Sequence, residues 1–525
     1  MIRHSRKKRF TILACIVATV GGFQSLFITQ AKASSITPFV EPLNTGIRSF
    51  AGNRLYDINY NFPFSKNDLL LLTQSSVTAS STAPPFKLLR YDEDYRYLQN
   101  SKYRHDFWDP VKFIPLNNRK DWFLSFGGEI RQRYESYHNP NFGSGPADNR
   151  GNNDYLLQRY LLHGDLHLGQ RFRFFGQFMA SLEDGRIGGP RPEVDQNIFD
   201  LHQGVMDFVI PINDKVSTTW RLGRQEFDYG SGRLISVREV PNTRRSFDAA
   251  RVLLRIGQWS IDGFWGKPVR NRFNVFDDDP DPDKTLWGTY VVRPNEFLPN
   301  GHIDLYYLGF ENKQGVFTQS IANELRHTLG TRLWGQPLPW EYNIELIWQF
   351  GQFGTGNINA WAVATNTRYS FSNLPLRPRL GLTADITSGD RNPNSAKLQT
   401  YNPLFPTGAY FNLADLLGPS NFIHLHPSVD LHFNNKLKMT LDWGFFWRES
   451  IHDAPYSIAI FPIFSNHANQ GRFSGHSPAV TIAWELNRNI SMLASYVHFF
   501  PGSFFNNNHE NNSVDYFTSW ITYKF

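Results

Sequence analysis

From Trp122 to the terminal Phe525 the chain is written in a period of two, and that period constrains the fold more than any other feature. In the first segment Trp122, Leu124, Phe126, Ile130 and Tyr134 share one parity, while Glu129, Arg131, Arg133 and Glu135 share the other. Successive side chains of an extended strand point to opposite faces, so this is a strand with one apolar and one charged face. The pattern recurs. Leu156, Tyr160, Leu162, Leu166 and Leu168 oppose Arg159, His163, Asp165 and His167; Phe172, Phe174, Phe178 and Leu182 oppose Arg171, Arg173, Gln177 and Glu183; Leu437, Met439, Leu441, Trp443, Phe445 and Trp447 oppose Lys438, Asp442 and Arg448. About 18 such segments fit between 121 and 525; those near 199–210, 217–229 and 286–293 are the weakest, and about 16 strands is the alternative count. Their connections alternate between tight turns, such as Gly169-Gln170, Gly257-Gln258 and Asn434-Asn435, and long loops at 138–153, 184–198, 230–245, 268–285, 389–420, 449–471 and 501–513.

Outer-membrane barrels show this asymmetry, with short periplasmic turns and long extracellular loops. Composition agrees: 15% aromatic residues with 19% charged is unusual for a soluble enzyme, yet a mean hydropathy of −0.42 is far too polar for a bundle of membrane helices. A barrel reconciles the two, because lipid-facing and lumen-facing residues alternate along every strand. A soluble propeller or β-helix also supplies many strands, but would not put aromatics on one side of nearly all of them. The fold expected is all-β, an antiparallel transmembrane β-barrel of the cell outer membrane. The last strand, TSWITYKF, carries Phe517, Ile521, Tyr523 and Phe525 on one parity and ends on an aromatic, as a closing strand does.

Residues 1–33 read as a signal peptide: Arg3, Arg6, Lys7, Lys8 and Arg9 precede an apolar stretch from Phe10 to Ile28, and Ala31-Lys32-Ala33 forms the cleavage site. A lipobox at Cys15 is the weaker reading, since the apolar stretch runs well past it. Cleavage removes Cys15, the one cysteine, and leaves no disulfide or thiolate site. It also removes six Lys and Arg with no acid, so the formal +6 disappears and 47 basic residues face 47 acidic ones. No nucleic-acid partner is expected. Residues 34–85 read as a poorly ordered arm, 86–120 as a periplasmic lead-in or plug, and 121–525 as the barrel.

A barrel this wide holds either a water-filled channel or a plug. The inward parity carries Arg131, Arg133, Arg159, Arg171, Arg173, Arg251, Arg255, Arg326, Arg332, Arg377, Arg379 and Arg448, interleaved with Glu129, Glu135, Asp165, Glu183, Glu345, Asp385, Asp430 and Asp442. Rings of arginine select anions, and a guanidinium matches a carboxylate in bidentate geometry. The bland reading of any single arginine is an inter-strand ion pair stiffening the wall. Leu222 to Asp248 holds five arginines between Arg224 and Arg245 with two turn glycines, polar enough to fold inward, or equally a solvated surface loop. The run Asp277 to Asp283, DDDPDPD, offers carboxylates to a hard cation such as Ca²⁺, although it lacks the EF-hand spacing and its glycine. No other cofactor is expected. His163 and His167 on one strand stand too far apart to share a metal, His424 and His426 have no third ligand, and there is no G-x-S-x-G elbow. The chain is therefore expected not to be an enzyme.

The motifs GGEIRQRYE (Gly127 to Glu135), YLLQRY (Tyr155 to Tyr160), LGRQE (Leu222 to Glu226) with GSGR (Gly230 to Arg233), and NPLFP (Asn402 to Pro406) resemble the alginate-export family of outer-membrane barrels, over roughly Arg90 to Phe525. The resemblance implies an 18-stranded monomer with an arginine-rich constriction that passes a polyuronate outward past gating loops. It makes Arg224 a constriction residue and Arg233 a residue of the adjoining loop. Arg224 shares the parity of Trp220 and Leu222, so an inward side chain there requires a bulge or bend. The function expected is a channel for an anionic polysaccharide or oligosaccharide, with outer-membrane lipid, lipopolysaccharide and periplasmic export proteins as partners. The alternatives are an uptake porin for small organic acids and, from another class, an outer-membrane enzyme acting on glycans.

Overall fold

The computed structural model describes residues 84–143, 151–213, 215–295, 297–298, 300–463, 471–508 and 512–525. The expected signal peptide, and all of the expected arm except its last two residues, lie outside the described residues. Eighteen strands form the wall: β1 Trp122–His138, β2 Asn152–Leu168, β3 Phe172–Asp184, β4 Asn197–Asn213, β5 Val216–Gln225, β6 Phe247–Ile256, β7 Trp259–Arg270, β8 Lys284–Asn295, β9 Gly301–Phe317, β10 Ser320–Gly335, β11 Trp340–Phe353, β12 Gly356–Ser370, β13 Arg379–Thr387, β14 Phe422–His432, β15 Leu437–Trp447, β16 Phe473–Glu485, β17 Ile490–Pro501 and β18 Val514–Lys524. Each pairs antiparallel with its sequence neighbours, and β18 returns to β1 with Arg131 opposite Thr522 and Arg133 opposite Trp520. Closure leaves no unpaired edge, the condition for strands to cross a bilayer. No helix of the described residues is long and apolar enough to cross a membrane.

The period-two pattern is realised as a lipid face and an interior face. Leu162, Phe174, Met206, Phe208, Trp220, Leu305, Leu329, Trp348, Leu382, Leu441 and Trp443 are exposed around the outside. Glu129, Arg131, Arg133, Arg159, Asp304, Arg326 and Glu345 are buried within. Short turns gather at one end and the long connections at the other, with two exceptions: β9–β10 and β11–β12 close through Thr318-Gln319 and Gly354-Thr355 at the long-loop end.

Two long connections fold into the interior. Connections 226–246 and 388–421 fold back between the walls and pair with each other, Ile235 bridging Phe405, with Ser236 N–H donating to Phe405 O at 2.9 Å and Phe405 N–H to Leu234 O at 2.8 Å. Phe227, Tyr229, Tyr401, Leu404 and Phe405 from the loops pack with Phe247, Phe264, Tyr290, Tyr306 and Phe310 from the wall. Each ring buried this way contributes about 1.5–3 kcal/mol, enough to hold a polar loop inside a polar barrel. From the short-turn end the lead-in enters as well. A 3₁₀ turn, Arg90–Asp92, is followed by a single helical turn, α1 (Asp109–Lys112). Arg90 donates to the carbonyls of Phe525 at 2.9 Å and Gly128 at 3.0 Å, Trp108 stacks on Phe525 at 4.5 Å, and Tyr91 Oη donates to Glu226 O at 2.7 Å.

Candidate functional site

The chemistry of the lumen lies where the wall meets loop 226–246. Three arginines of β1 and β2 grip that loop by its backbone. Arg131 donates to the carbonyls of Glu239 (3.0 Å), Val240 (3.1 Å) and Pro241 (2.8 Å), Arg133 to Val240 O (2.6 Å), and Arg159 to Glu239 O (2.9 Å). They reach it because β1 and β2 alternate strictly, so Arg131 and Arg159 sit opposite each other on the inner face. Carboxylates intervene: Glu129 and Glu239 each lie 2.6 Å from Arg159 Nη2, and Glu135 lies 2.6 Å from Arg133.

Inside the loop Arg244 ties Glu226 (2.5 Å) to Glu239. Burial opposes the Arg244 charge, yet the two carboxylates hold its pKa above the ordinary value. Burial likewise works against the Glu226 carboxylate, but Arg244 and His202 bring it down to about 2. The loop reaches the far wall through Arg233, 2.9 Å from Asp385 and 3.3 Å from Glu345. Asn242 donates to the carbonyls of Gln158, Leu182 and Asp195. Two loop arginines, Arg238 and Arg245, have no carboxylate within 4 Å among the described residues. Burial lowers both pKa values, and Arg245 lies over the Phe405 ring and donates to Pro406 O at 3.2 Å.

Other wall arginines are paired along the sheet. Arg173 holds Asp165 (2.7 Å), Arg251 holds Asp262 (2.5 Å) with Arg255 beside it (3.4 Å), Arg326 holds Glu324 (2.5 Å) and Arg332 holds Asp304 (2.8 Å). Arg221, which the sequence reading passed over, holds Asp207 at 2.6 Å and stacks on Tyr91 at 4.1 Å. Its parity, opposite to that of Trp220 and Leu222, was the available signal.

Three expected pore residues are elsewhere, among them Arg377, which lies in the β12–β13 turn and donates to Asn435 Oδ1 at 3.0 Å. Arg171 lies exposed in the β2–β3 turn, because β3 begins at Phe172. Arg224 keeps the outward parity: β5 pairs with β4 in unbroken register from Arg224 back to Ser217, so no bulge turns it inward. It holds Asp248 at 2.8 Å and donates to Asp278 O at 3.3 Å, placing it beside loop 271–283 instead of in the constriction.

A closed 18-stranded barrel with loops folded onto interior arginines is the geometry against which relatives can be compared. The family model for alginate export matches residues 122–519, from the first strand almost to the end of the last. The chain belongs to the alginate export family. Family and closed barrel together make it an outer-membrane channel. No curated protein sequence matches it. Solved structures from Pseudomonas aeruginosa are similar in fold: OccK9 (OpdG) at 12% identity and TM-score 0.51, covering 76% of this alginate-export barrel and 98% of that chain; the outer membrane protein OpdK at 11% and 0.50, covering 76% and 98%; and OccD3 (OpdP) at 13% and 0.50, covering 77% and 91%. At such identities the likeness shows the fold alone.

Proposed function

We propose that the channel passes an acidic polysaccharide of the polyuronate class, and that the described conformation is its closed state. One observation carries this reading: Arg131, Arg133 and Arg159 converge on the neutral backbone carbonyls of loop 226–246. A carboxylate offers a guanidinium an opposite charge and bidentate geometry that a carbonyl lacks. A polyuronate entering the lumen therefore competes with the loop for the same donors, and displacing the loop opens the path. The acids beside these arginines keep the attraction shallow, so a chain advances from one site to the next. Outer-membrane lipid and lipopolysaccharide cover the apolar belt, periplasmic export proteins deliver the polymer, and no chemical step is required of the protein.

Planar-bilayer recording tests the reading. Deleting 231–243 is expected to raise single-channel conductance several-fold, and polyuronate to block the opened pore. In the same deletion, Arg131→Gln with Arg133→Gln is expected to weaken that block by about tenfold, the loss of one good charge-assisted contact. A deleted channel that polyuronate does not block contradicts the substrate class; unchanged conductance contradicts the gate.

A further inference from the structure

Two segments enter the barrel from opposite ends and meet inside it. Loop 226–246 joins β5 to β6 at the long-loop end, whereas the lead-in precedes β1 at the short-turn end, the periplasmic side of an outer-membrane barrel. We infer that the lead-in is a latch: residues 88–91 hold loop 226–246 from beneath, so that withdrawing the lead-in on the periplasmic side frees the loop. The inference rests on the reading of that loop as the gate. The lead-in lies ahead of residues 122–519, so the family match assigns it no role.

The contacts between the two segments are buried and of different kinds. Tyr91 Oη donates to Glu226 O at 2.7 Å, and Arg244 Nη2 donates to Leu88 O at 2.9 Å. Leu89 and Tyr91 share one apolar cluster with Val237 of the loop and with Phe175 and Val205 of the wall. Arg244 is the node, because the same guanidinium holds Glu226 and Glu239 of the loop. Tyr91 is 1% exposed: Arg221 of β5 lies 4.1 Å over its ring, and Phe175 of β3 meets it edge-on at 6.0 Å.

The tip of the lead-in is braced to move as a unit. Leu89 O accepts from Asp92 N–H at 2.9 Å, closing the 3₁₀ turn. The Glu93 carboxylate then gathers Lys87 N–H at 2.9 Å, Tyr95 Oη at 2.8 Å and the Arg90 guanidinium at 2.8 Å. Such a turn has two arrangements, seated and withdrawn, and an element with two discrete arrangements is what coupling between distant sites requires. Withdrawal takes the donor from Glu226 O and an acceptor from Arg244, and it opens the cluster around Val237 to water. Each loss loosens the loop.

Amide exchange on the full chain in detergent tests the latch. Its probes are loop amides such as Ser236 and Thr243, which bond to Phe405 O and Val194 O. Tyr91→Ala is expected to quicken exchange across 231–243 by about tenfold or more while the wall strands keep their protection, since exchange follows local opening. Tyr91→Phe, which loses the bond to Glu226 O and keeps the ring, is expected to give a smaller rise in the same amides. Phe107→Ala, in the same lead-in but at a residue 80% exposed, is expected to change nothing there. Coupling is reciprocal, so Arg244→Met is expected to quicken the amides of Asp92 and Glu93 in the lead-in. A loop as protected in Tyr91→Ala as in the wild type, or a lead-in indifferent to Arg244→Met, overturns the latch. Single-channel recording separates this from the gate: quicker exchange in 231–243 without a rise in open probability upholds the latch and removes the gate. A channel opened by deleting 231–243, with a loop indifferent to Tyr91→Ala, upholds the gate and removes the latch.

Discussion

Arg159 is the residue on which the proposed gate turns, because it is fully buried between two carboxylates on different elements, Glu129 of the wall and Glu239 of the loop. Removing one member of a buried ionic cluster leaves the others uncompensated, at a cost of about 3–5 kcal/mol. Arg159→Met is therefore expected to release loop 226–246, seen as a channel that flickers open without polyuronate; a channel as quiet as the wild type would show that the loop is held by its aromatic packing alone. Arg224 gives the opposite expectation. Its guanidinium faces Asp248 and loop 271–283, so Arg224→Glu should leave anion selectivity within error of the wild type, while Arg133→Glu shifts the reversal potential toward cations. A matching shift in Arg224→Glu would place that side chain in the pore. The motif resemblance and the strand parity disagreed at this one position, and parity was the better guide, since a side chain changes face only where the register breaks.

At the scale of elements, the strands were legible because the two faces of a membrane strand meet opposite solvents, so each residue records its side. Even the segments near 199–210, 217–229 and 286–293, where the alternation is weakest, are β4, β5 and β8. The loops carry no such record. Loop 226–246 shows only arginines and glycines in sequence, and its docking depends on partners over a hundred residues away, Arg131 for Glu239 and Asp385 for Arg233. The inward fold of 388–421 had no local signal at all. Its latch is Asp453, a fully buried carboxylate that accepts from Thr318 Oγ1 (2.7 Å), Tyr456 Oη (2.9 Å), Thr400 Oγ1 (2.5 Å) and Asp390 N–H (2.8 Å). It joins the β9–β10 hairpin to two loops. Asp453→Ala orphans those donors at about 1–3 kcal/mol apiece, and amide exchange across 388–421 is expected to quicken at least tenfold while the wall strands keep their protection. Uniform acceleration of strands and loop would make Asp453 a part of the barrel's own stability instead.

At the scale of the whole molecule the lead-in seats against β1 and the terminal Phe525 at the short-turn end of the barrel, and one group there makes the seating depend on pH. Lys112 of α1 is buried, with Nζ 4.8 Å from the centroid of Tyr95, 5.5 Å from Phe86 and 6.0 Å from Phe525. Its Nζ has no hydrogen-bond partner among the described residues. Burial, reinforced by Arg90 and Arg488 against Glu93 and Asp106, brings its pKa down to about 7 from 10.5. Between those two values the released lead-in binds a proton that the seated one does not, so seating strengthens as pH rises from about 7 and is insensitive to this group below it. The closed dwell time is expected to lengthen by up to about fiftyfold between pH 7 and pH 9, as roughly 1.7 of those two pH units are differential protonation, each worth about 1.4 kcal/mol. Lys112→Met removes the titrating amine but keeps its aliphatic contacts, and its dwell times should not vary over that range. A shorter dwell at high pH, or the same pH response in Lys112→Met, would mean that the inner mouth is held by Arg90, Trp108 and Phe525 without any contribution from Lys112.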